Sequence, residues 1–457
     1  MKAFRGKSRK TADAPAAIGQ RIEVELQRHS HDGRGIGRWQ GRTVFVDGGL
    51  AGEQVTARVL KARSKLIETR VDKVLQASDE RVQPACRHAA LCGGCSLQHM
   101  PHAMQLQVKQ QALAQQLEHF AGIEPGQWMP PLLGPAYAYR QRTRLAVRWD
   151  RKHARLEVGY RERFSSDLVE VTQCPILVPE LEALVQALGP VLGELDGRAG
   201  LGHVELIAAQ MPVMLVRHMQ PLSSADLESL RALAQQHGAE CWLQPGDVDT
   251  LHCISGIGTV PAYTLADQAL QLEFAPGDFI QVNASVNQQM INQALQWLAP
   301  QPGERILDLF CGVGNFSLPL ARAGALVTGI EGDGEMVARA RRNAENNNLH
   351  SPHFLQADLS NHLDGHWLAD GCDAALLDPP RDGAELLVHK LAQLRVSRIL
   401  YVSCNPATLA RDAGILAAQG YRLEKVGVMD MFAQTAHVEA MALFVRGTSA
   451  GSARKAQ

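Results

Sequence analysis

Cys404 lies at the end of an apolar run, in the stretch from Ile399 to Ala410 that reads ILYVSCNPATLA. A free cysteine in such a run is most often a small buried hydrophobe, because cysteine is among the residue types found most frequently inside proteins. The alternative is a nucleophilic thiol at the carboxyl end of a strand. The other residues of the chain must decide between these two interpretations.

Three successive strand ends carry residues typical of a nucleotide-type cofactor site. The first strand is followed by DLFCGVGNFS, in which Gly312 and Gly314 permit a tight turn and the close approach of a ligand. The third glycine of dinucleotide-binding turns is missing, which favours a cofactor without phosphate groups. Glu331 ends the second strand, where a carboxylate can accept hydrogen bonds from both ribose hydroxyls, and Asp358 ends the third, where an acid can accept from an adenine amino group. Together these positions resemble the motifs of class I methyltransferases, which use S-adenosylmethionine (SAM).

The fourth strand ends in LLDPPR, residues 376–381, a pattern that holds the target amino group in many base-modifying methyltransferases. Amino methylation needs no nucleophile, however, so Cys404 on the adjacent strand end favours methylation of carbon 5 of a pyrimidine. That carbon is too weak a nucleophile until a thiolate adds to carbon 6 of the ring. A base must then remove the carbon 5 proton, and Glu439, at the start of the last strand, is a suitable carboxylate. Without Cys404, Glu439 would be interpreted as an ordinary strand-end carboxylate.

Four further cysteines form a separate group. Three of them have the spacing C-x5-C-x2-C within CRHAALCGGCSLQH, and the fourth lies in VTQCPI; they are Cys86, Cys92, Cys95 and Cys174. Four thiolates suit either a structural zinc ion or a [4Fe-4S] cluster, and the spacing does not decide between them. The unclustered cysteines, Cys241, Cys253, Cys311 and Cys372, are expected to be structural.

The elements that must position the strand-end residues alternate regularly between strand and helix from about Asn287 to Arg446. Apolar runs such as RILDLF, LVTGIE and RILYVSC are each followed by a helical pattern, which is typical of a doubly wound parallel sheet. The last two runs, YRLEKVGVMD and EAMALFVR, predict an appended antiparallel strand. We therefore predict an α/β chain in which residues 276–447 form a class I, Rossmann-like SAM-dependent methyltransferase domain.

The first part of the chain predicts two further domains. Residues 16–75 show short alternating runs between glycine-bearing turns, which predict a five-stranded barrel resembling the OB-like, RNA-binding TRAM domain in length and in the loop DGRGIGR. Residues 76–103 and 135–275 are expected to form a central α+β domain that carries the cysteine group. A helical segment, residues 104–134, interrupts it, with apolar residues at helical spacing from Met104 to Ala121. The tails, residues 1–15 and 448–457, are expected to be disordered.

Charge is unevenly distributed along a chain whose net charge is −1. Residues 1–75 hold 16 Lys and Arg against 8 Asp and Glu, so this segment has a net charge of +8 and the remainder −9. A basic module of this kind suggests a polyanionic partner. In YRQRTRLAVRW, four arginines alternate with apolar residues, and we interpret this face as one that grips phosphates: Arg140, Arg142, Arg144 and Arg148.

The motifs FAPGDFIQVN, DLFCGVGNFSLPLA, DPPR, YVSCNP and HVEAM occur in this order, and the chain resembles the RNA uracil-5-methyltransferase family over nearly its whole length. The barrel and the cysteine group are similar to the iron-sulfur-containing 23S rRNA branch of that family. This resemblance implies that Cys404 is the nucleophile and Glu439 the proton acceptor. It implies that six residues contact SAM: Gln281, Phe310, Asn315, Glu331, Asp358 and Asp378. It also implies a [4Fe-4S] cluster on Cys86, Cys92, Cys95 and Cys174.

The predicted reaction is the SAM-dependent formation of 5-methyluridine in 23S rRNA. A tRNA uracil-5-methyltransferase or an RNA cytosine-5-methyltransferase would use the same thiol chemistry and is the alternative. A radical-SAM methylthiotransferase can also combine a TRAM barrel with a cluster, but its usual C-x3-C-x2-C triplet is missing, and a non-catalytic RNA-binding protein is the other remaining class. Because the sequence contains no apolar stretch of about 18 residues, no membrane association is expected. We expect a cytoplasmic monomer.

Overall fold

The structure is a computed structural model that describes residues 16–247, 250–256, 258–360 and 371–447. The two tails that the sequence predicts to be disordered, residues 1–15 and 448–457, lie outside the described residues. Contacts divide the chain into two compact units. The first contains the described residues up to Pro84 together with Ser96–Val108, and the second contains Ala85–Cys95 and the chain from Lys109 onward.

The first unit is built on a closed barrel of five strands in the order β1-β2-β3-β5-β4. The strands are β1 Arg21–His29, β2 Gly35–Trp39, β3 Arg42–Asp47, β4 Gln54–Ala62 and β5 Leu66–Gln76. Alternate residues of β1, Ile22, Val24 and Leu26, are buried in the barrel interior, as the period of two predicts. Gly37 is required where β2 crosses β1, because a Cβ atom there would lie 2.3 Å from the carbonyl oxygen of Glu25. The predicted five-stranded barrel is confirmed.

A helix, α1, covers His102–Gln116 and continues as one π-helical turn, Leu117–Ala121. The expected helical segment over residues 104–134 is therefore helical only as far as Ala121. Gly122 adopts a left-handed conformation, with φ of 62°, and ends the helix. The next element is a two-residue strand, β6 Gln127–Trp128, which pairs in parallel with a strand near the end of the chain.

The central part of the second unit contains a seven-stranded sheet in the order β13-β12-β11-β10-β7-β8-β9. Its elements are β7 Arg142–Asp150, β8 Arg155–Arg161, β9 Leu168–Glu170, α2 Pro179–Glu194, β10 Leu201–Ile207, β11 Val213–His218, α3 Ser224–Gln236, β12 Glu240–Gln244 and β13 His252–Cys253. Buried leucines of α2, among them Leu181, Leu184 and Leu188, pack with Leu145 and Val204 of the sheet. One face of this sheet is thus covered by helices. A hairpin of β14 Ala262–Leu265 and β15 Leu270–Glu273 follows.

The rest of the second unit is a doubly wound sheet of eight strands in the order β18-β17-β16-β19-β20-β22-β21-β6. Its elements are α4 Ala284–Leu298, β16 Arg305–Leu309, α5 Ser317–Arg322, β17 Leu326–Glu331, α6 Gly334–Asn346, β18 His353–Gln356, β19 Ala374–Leu377, α7 Glu385–Gln393, β20 Arg398–Ser403, α8 Pro406–Ala418, β21 Tyr421–Met429 and β22 Glu439–Arg446. Strands β16 to β20 are parallel, and β22 pairs antiparallel with β20 and β21. The predicted α/β class, with its appended antiparallel strand, is confirmed. No helix among the described residues combines the length and apolar character needed to cross a membrane.

Candidate active site

The predicted chemical residues lie at one edge of the eight-stranded sheet. Glu331 is the last residue of β17, Asp378 directly follows β19, and Cys404 directly follows β20. Asp358 lies two residues beyond β18. Because the carboxyl ends of parallel strands meet at the same edge, the alternation of strand and helix is sufficient to bring these four positions together.

Glu439 reaches the same edge from the opposite direction. It is the first residue of β22, which runs antiparallel to β20, and Ser403 of β20 pairs with Ala440 of β22. Cys404 directly follows Ser403, and Glu439 directly precedes Ala440. The two residues therefore lie side by side at the same end of two hydrogen-bonded strands. The predicted nucleophile and base, 35 positions apart in the sequence, are neighbours in the fold.

The pKa values of both groups are raised. Burial, with Glu439 and Asp378 as neighbouring carboxyls, raises the pKa of the Cys404 thiol to about 11. Burial together with Asp378 raises the pKa of Glu439 well above its usual value, while Lys109 and Arg381 oppose that rise. Burial raises the pKa of Asp378 to about 7. Such shifts in a group of three titratable side chains are typical of functional sites.

The residue after Cys404 fixes the loop that carries the thiol. Asn405 caps α8 by accepting a hydrogen bond from the backbone N–H of Ala407 at 3.1 Å, and Pro406 occupies the first helical position. The Asn405 side-chain amide also donates to the backbone carbonyl of Arg381 at 3.0 Å. The Asn-Pro pair after the cysteine therefore joins the loop of Cys404 to the loop that follows Asp378.

The glycine-bearing turn after β16 has the expected tight geometry. Phe310 has φ of 66°, Gly312 56° and Gly314 99°, so three residues of the turn adopt left-handed or related conformations. The backbone N–H of Gly312 donates to the Glu331 carboxylate at 3.0 Å, and so does that of Gly332 at 2.7 Å. The turn and the end of β17 thereby form a concave edge with a carboxylate beside it.

Beneath this turn lies an acidic residue that sequence reasoning missed. Asp308 of β16 is completely buried, accepts a hydrogen bond from the Ser317 hydroxyl, and its pKa is raised to about 7 by burial. Its second oxygen, Oδ1, has no hydrogen-bond partner among the described residues. Asp308 could have been found as the acid that precedes the turn, in LDLF, but its place in an apolar run gave it the pattern of a core position.

Of the remaining predicted cofactor residues, Gln281 lines a cleft, and Asn315 bonds to two residues of its lining. Gln281 lines a cleft beside α4 together with Tyr263 and Asn287. Asn315 and Asn287 form a reciprocal amide pair with distances of 3.0 and 3.1 Å, and the Tyr263 hydroxyl donates to Asn315 at 3.0 Å. Asn315 is thus held between the turn and the cleft that Gln281 lines. Asp358 accepts a hydrogen bond from the backbone N–H of Ser360 at 2.8 Å and is exposed.

A buried ion pair beside Glu439 was also missed. The Lys109 ammonium group donates to Asp430 at 2.6 Å, and both side chains have at most 1% of their surface exposed. Lys109 belongs to α1 and Asp430 follows β21, 321 positions later. Only the helical spacing of the apolar residues of α1 could have indicated that Lys109 points inward, and nothing in the sequence links it to Asp430.

The four cysteines predicted to bind a metal group approach one another. The neighbouring thiols Cys95, Cys86 and Cys92 add to burial in raising the pKa of Cys174 to about 12. None of the four forms a disulfide bond. Within the part of the chain that the structure describes, no group of three or more His, Cys, Asp or Glu side chains is arranged to hold a metal ion. The cysteine loop is joined to β8 by a hydrogen bond from Gly93 to the carbonyl of Arg161 at 3.0 Å.

The arginine face of β7 differs from its prediction. Arg142 has only 12% of its side chain exposed and pairs with the buried Glu205 at 2.9 Å. Arg148 pairs with Glu157 at 2.7 Å. Arg144 remains 57% exposed, although it also lies 3.4 Å from Glu205. The interpretation as a row of free phosphate-gripping cations is therefore wrong for Arg142, because two acidic residues on the neighbouring strands β8 and β10 neutralise part of this face.

Sequence comparisons assign the chain to a family. The family described as tRNA (Uracil-5-)-methyltransferase matches residues 102–447, and the TRAM domain family matches residues 15–70. A 23S rRNA (uracil(1939)-C(5))-methyltransferase RlmD from Pseudomonas entomophila is 51% identical over 432 residues, which is 94% of this chain and 95% of the relative. The protein with the same description from Pseudomonas aeruginosa strain PAO1 is 49% identical over 435 residues, again 94% of this chain and 95% of the relative.

A solved structure shares the fold. The Pyrococcus abyssi tRNA (uracil-54, C5)-methyltransferase, in complex with S-adenosyl-L-homocysteine, superposes with a TM-score of 0.71 at 23% identity. It covers 93% of this chain and 100% of its own. This likeness shows the fold, whereas the family model and the two relatives show the family. The chain therefore belongs to the RNA uracil-5-methyltransferase family.

Proposed function

We propose that the protein transfers a methyl group from SAM to carbon 5 of a uridine in 23S rRNA, forming 5-methyluridine. The observation that carries this proposal is the thiol of Cys404 beside the carboxyl of Glu439 at the carboxyl edge of the sheet. Relatives that are about half identical over almost the whole chain are described as 23S rRNA enzymes, which supports ribosomal RNA as the substrate. An enzyme acting on this substrate works in the cytoplasm, and the single chain supplies every proposed site residue, which supports a monomer.

In the proposed mechanism, the Cys404 thiolate adds to carbon 6 of the uracil ring. The electron pair of the ring double bond moves onto the carbonyl at carbon 4, so that carbon 5 becomes an enolate carbon. This carbon forms a bond to the methyl group as the methyl–sulfur bond of SAM breaks and S-adenosylhomocysteine leaves. Glu439 then accepts the proton from carbon 5, the carbon 5–hydrogen electrons restore the double bond, and the bond to sulfur breaks to return the thiolate. The net reaction releases one proton for each methyl group transferred.

SAM, when bound, supplies an electrophilic methyl carbon on a sulfonium. Its proposed contacts are Gln281, Phe310, Asn315, Glu331, Asp358 and Asp378. The left-handed turn at Gly312, the carboxylate of Glu331 and the unpartnered oxygen of Asp308 fit a ligand that presents hydroxyl and amino groups. Glu331 would exchange its backbone donors for ribose hydroxyls.

We also propose that Cys86, Cys92, Cys95 and Cys174 hold a [4Fe-4S] cluster. Four thiols, of which three raise the pKa of the fourth, Cys174, are a suitable donor set. The role of the cluster would be structural, joining the cysteine loop to the segment after β9.

A tRNA substrate is the second candidate, because the matching family and the similar Pyrococcus protein are both described by tRNA uracil methylation. The relatives that are about half identical to this chain are described as 23S rRNA enzymes, which favours ribosomal RNA. In either case the target base must leave its stack before carbon 6 can be attacked. Separate incubation with tRNA and with protein-free 23S rRNA, followed by nucleoside analysis, distinguishes the two.

The mechanism is tested with RNA carrying tritium at carbon 5 of uridine. Cys404→Ala should release no tritium, because no adduct forms. Glu439→Gln should accumulate methylated RNA covalently attached to protein, because addition and methyl transfer precede proton removal. Tritium release by Cys404→Ala would disprove the nucleophile, and SAM binding without methyl transfer to any RNA by the wild-type protein would support the non-catalytic alternative.

The cluster is tested by spectroscopy and metal analysis. Protein purified without oxygen should be brown, with broad absorption near about 400 nm, and Cys174→Ser should lose iron. Cys241→Ser is the matched control, since that buried thiol lies outside the group and its loss should leave the iron content unchanged. Stoichiometric zinc in a colourless protein would show the assignment to be wrong.

A further inference from the structure

The connection between β21 and β22 leads directly into Glu439 and is fixed along its length. The Lys109 ammonium group donates to the Asp430 carboxylate at 2.6 Å and to the backbone carbonyl of Phe432 at 3.0 Å. Tyr139 donates to the carbonyl of Ala433 at 2.9 Å. Most residues of this connection are buried, so the position of Glu439 depends on a segment that one lysine holds at two points.

Lys109 also acts on Glu439 through its charge. Its ammonium group is among the few charges that face this carboxyl: Asp378 raises the pKa of Glu439, whereas Lys109 and Arg381 lower it. Two further titratable groups lie nearby: Cys404 on the adjacent strand end, and His437, whose pKa is lowered by burial and by Arg381 and Lys109. Burial lowers the pKa of Lys109 itself, and Asp430 opposes this effect most strongly. Asp430 thus favours the charged form of Lys109.

Stability alone does not account for this pair. Removing two charges from water costs about as much as their attraction returns, so a buried ion pair adds little net stability over apolar side chains of the same volume. A lysine with 1% of its side chain exposed, beside a carboxyl that must become negative to accept a proton, has a functional explanation. A fixed positive charge favours the ionised carboxylate.

We propose that Lys109 is a positioning residue for Glu439, held by Asp430 and the Phe432 carbonyl so that its charge favours the carboxylate that removes the carbon 5 proton. The inference rests on the proposed function, in which Glu439 is that base. Lys109 contacts neither SAM nor the uracil ring in this scheme.

The test compares the pH dependence of 5-methyluridine formation in the wild-type protein and in Lys109→Met/Asp430→Asn. The double variant removes the pair without leaving one buried charge alone. Without the ammonium group the pKa of Glu439 rises further, so the acidic limb of the rate profile should move to higher pH by roughly one unit. At a pH on that limb, the rate of the double variant should be about tenfold lower than that of the wild-type protein. Covalent protein–RNA adduct should accumulate, because only proton removal is slowed.

A second ion pair serves as the control. Arg398, the first residue of β20, pairs with Glu304, which directly precedes β16. Both residues lie at the amino ends of their strands, away from the carboxyl edge. Arg398→Met/Glu304→Gln should change the unfolding midpoint without moving the pH profile. If the Lys109 double variant keeps the wild-type profile, the inference is wrong. Should that variant not fold, Lys109→Gln/Asp430→Asn, in which the amide retains a donor for the Phe432 carbonyl and no buried charge is left alone, gives the same comparison.

Failure of the proposed function is separable from failure of this inference. Wild-type protein that forms no covalent complex with RNA containing 5-fluorouridine contradicts the proposed function itself. A wild-type protein that forms the complex, combined with an unshifted profile in the double variant, contradicts only the role of Lys109.

Discussion

At the scale of single residues, the surroundings make both proposed reactive groups harder to ionise. Glu439 and Asp378 raise the pKa of Cys404, and Asp378 raises that of Glu439. Arg381 opposes the rise at both residues. A thiol with a pKa of about 11 is inert near neutral pH. The thiolate should therefore form only as a substrate or cofactor changes these surroundings, which protects Cys404 from other electrophiles.

This balance predicts how the free protein reacts with iodoacetamide. The alkylation rate of Cys404 should rise with pH up to about 11, because the thiolate is the reactive form. Asp378→Asn removes one carboxyl that raises this pKa, so the midpoint should move to lower pH. Cys372, whose pKa of about 12 is raised by burial and Asp373, is the internal control and should keep its midpoint. Mass spectrometry of the two peptides measures both rates, and an unmoved Cys404 midpoint would contradict the coupling to Asp378.

At the scale of elements, sequence patterns predict the positions that follow strands and fail for positions joined by packing. Glu331, Asp378 and Cys404 could be placed together because the edge of a parallel sheet is defined by local alternation alone. Lys109 and Asp430 could not, because no periodicity encodes which helix residue meets which loop. The same limit explains β6: two residues form a strand only because β21 offers an unpaired edge. Arg142 was misjudged because its partner Glu205 lies on β10, a separate strand.

The cofactor turn predicts a difference between two glycine substitutions. Gly314→Ala places a Cβ atom 2.4 Å from Cδ1 of the fully buried Leu318, in addition to its unfavourable φ of 99°. Gly303→Ala, at φ of 76° with no atom within 4 Å of the new Cβ, has only the backbone strain. Gly303→Ala should lower the free energy of unfolding by about 1 kcal/mol, and Gly314→Ala by about 1 to 3 kcal/mol more. Urea unfolding measures these losses, and calorimetry should find weakened SAM binding only in Gly314→Ala; equal effects would show that the turn tolerates a methyl group.

At the scale of the whole molecule, basic charge is concentrated in the first 75 residues, with a net charge of +8, and the remainder is acidic. In the barrel, Lys61, Arg63 and Lys65 lie exposed around the turn between β4 and β5. With this division of charge, residues 1–75 attract the phosphates of RNA, whereas the acidic remainder does not bind RNA nonspecifically.

Neutralising this turn should reduce the salt dependence of RNA binding. The Lys61→Gln/Arg63→Gln/Lys65→Gln protein loses three cations, so the slope of log affinity against log salt should become shallower by about 2 if all three contact single-stranded phosphates. SAM affinity should be unchanged, since the proposed cofactor residues lie outside the barrel. Filter binding at several salt concentrations measures the slope, and an unchanged slope would exclude this turn from the RNA interface.

The ion pair of Lys109 and Asp430 joins residues 321 positions apart, and this separation has a consequence in time. A ribosome that adds about 5 to 20 residues per second takes roughly 15 to 60 s to proceed from the lysine to the aspartate. During that interval α1 and β6 exist without the strand and the carboxylate that later bury them, so Lys109 remains hydrated. Among the described strands, β22, which carries Glu439, is synthesised after all the others. A nascent chain therefore cannot assemble the proposed nucleophile, the proposed base and the lysine beside them until β22 has been made.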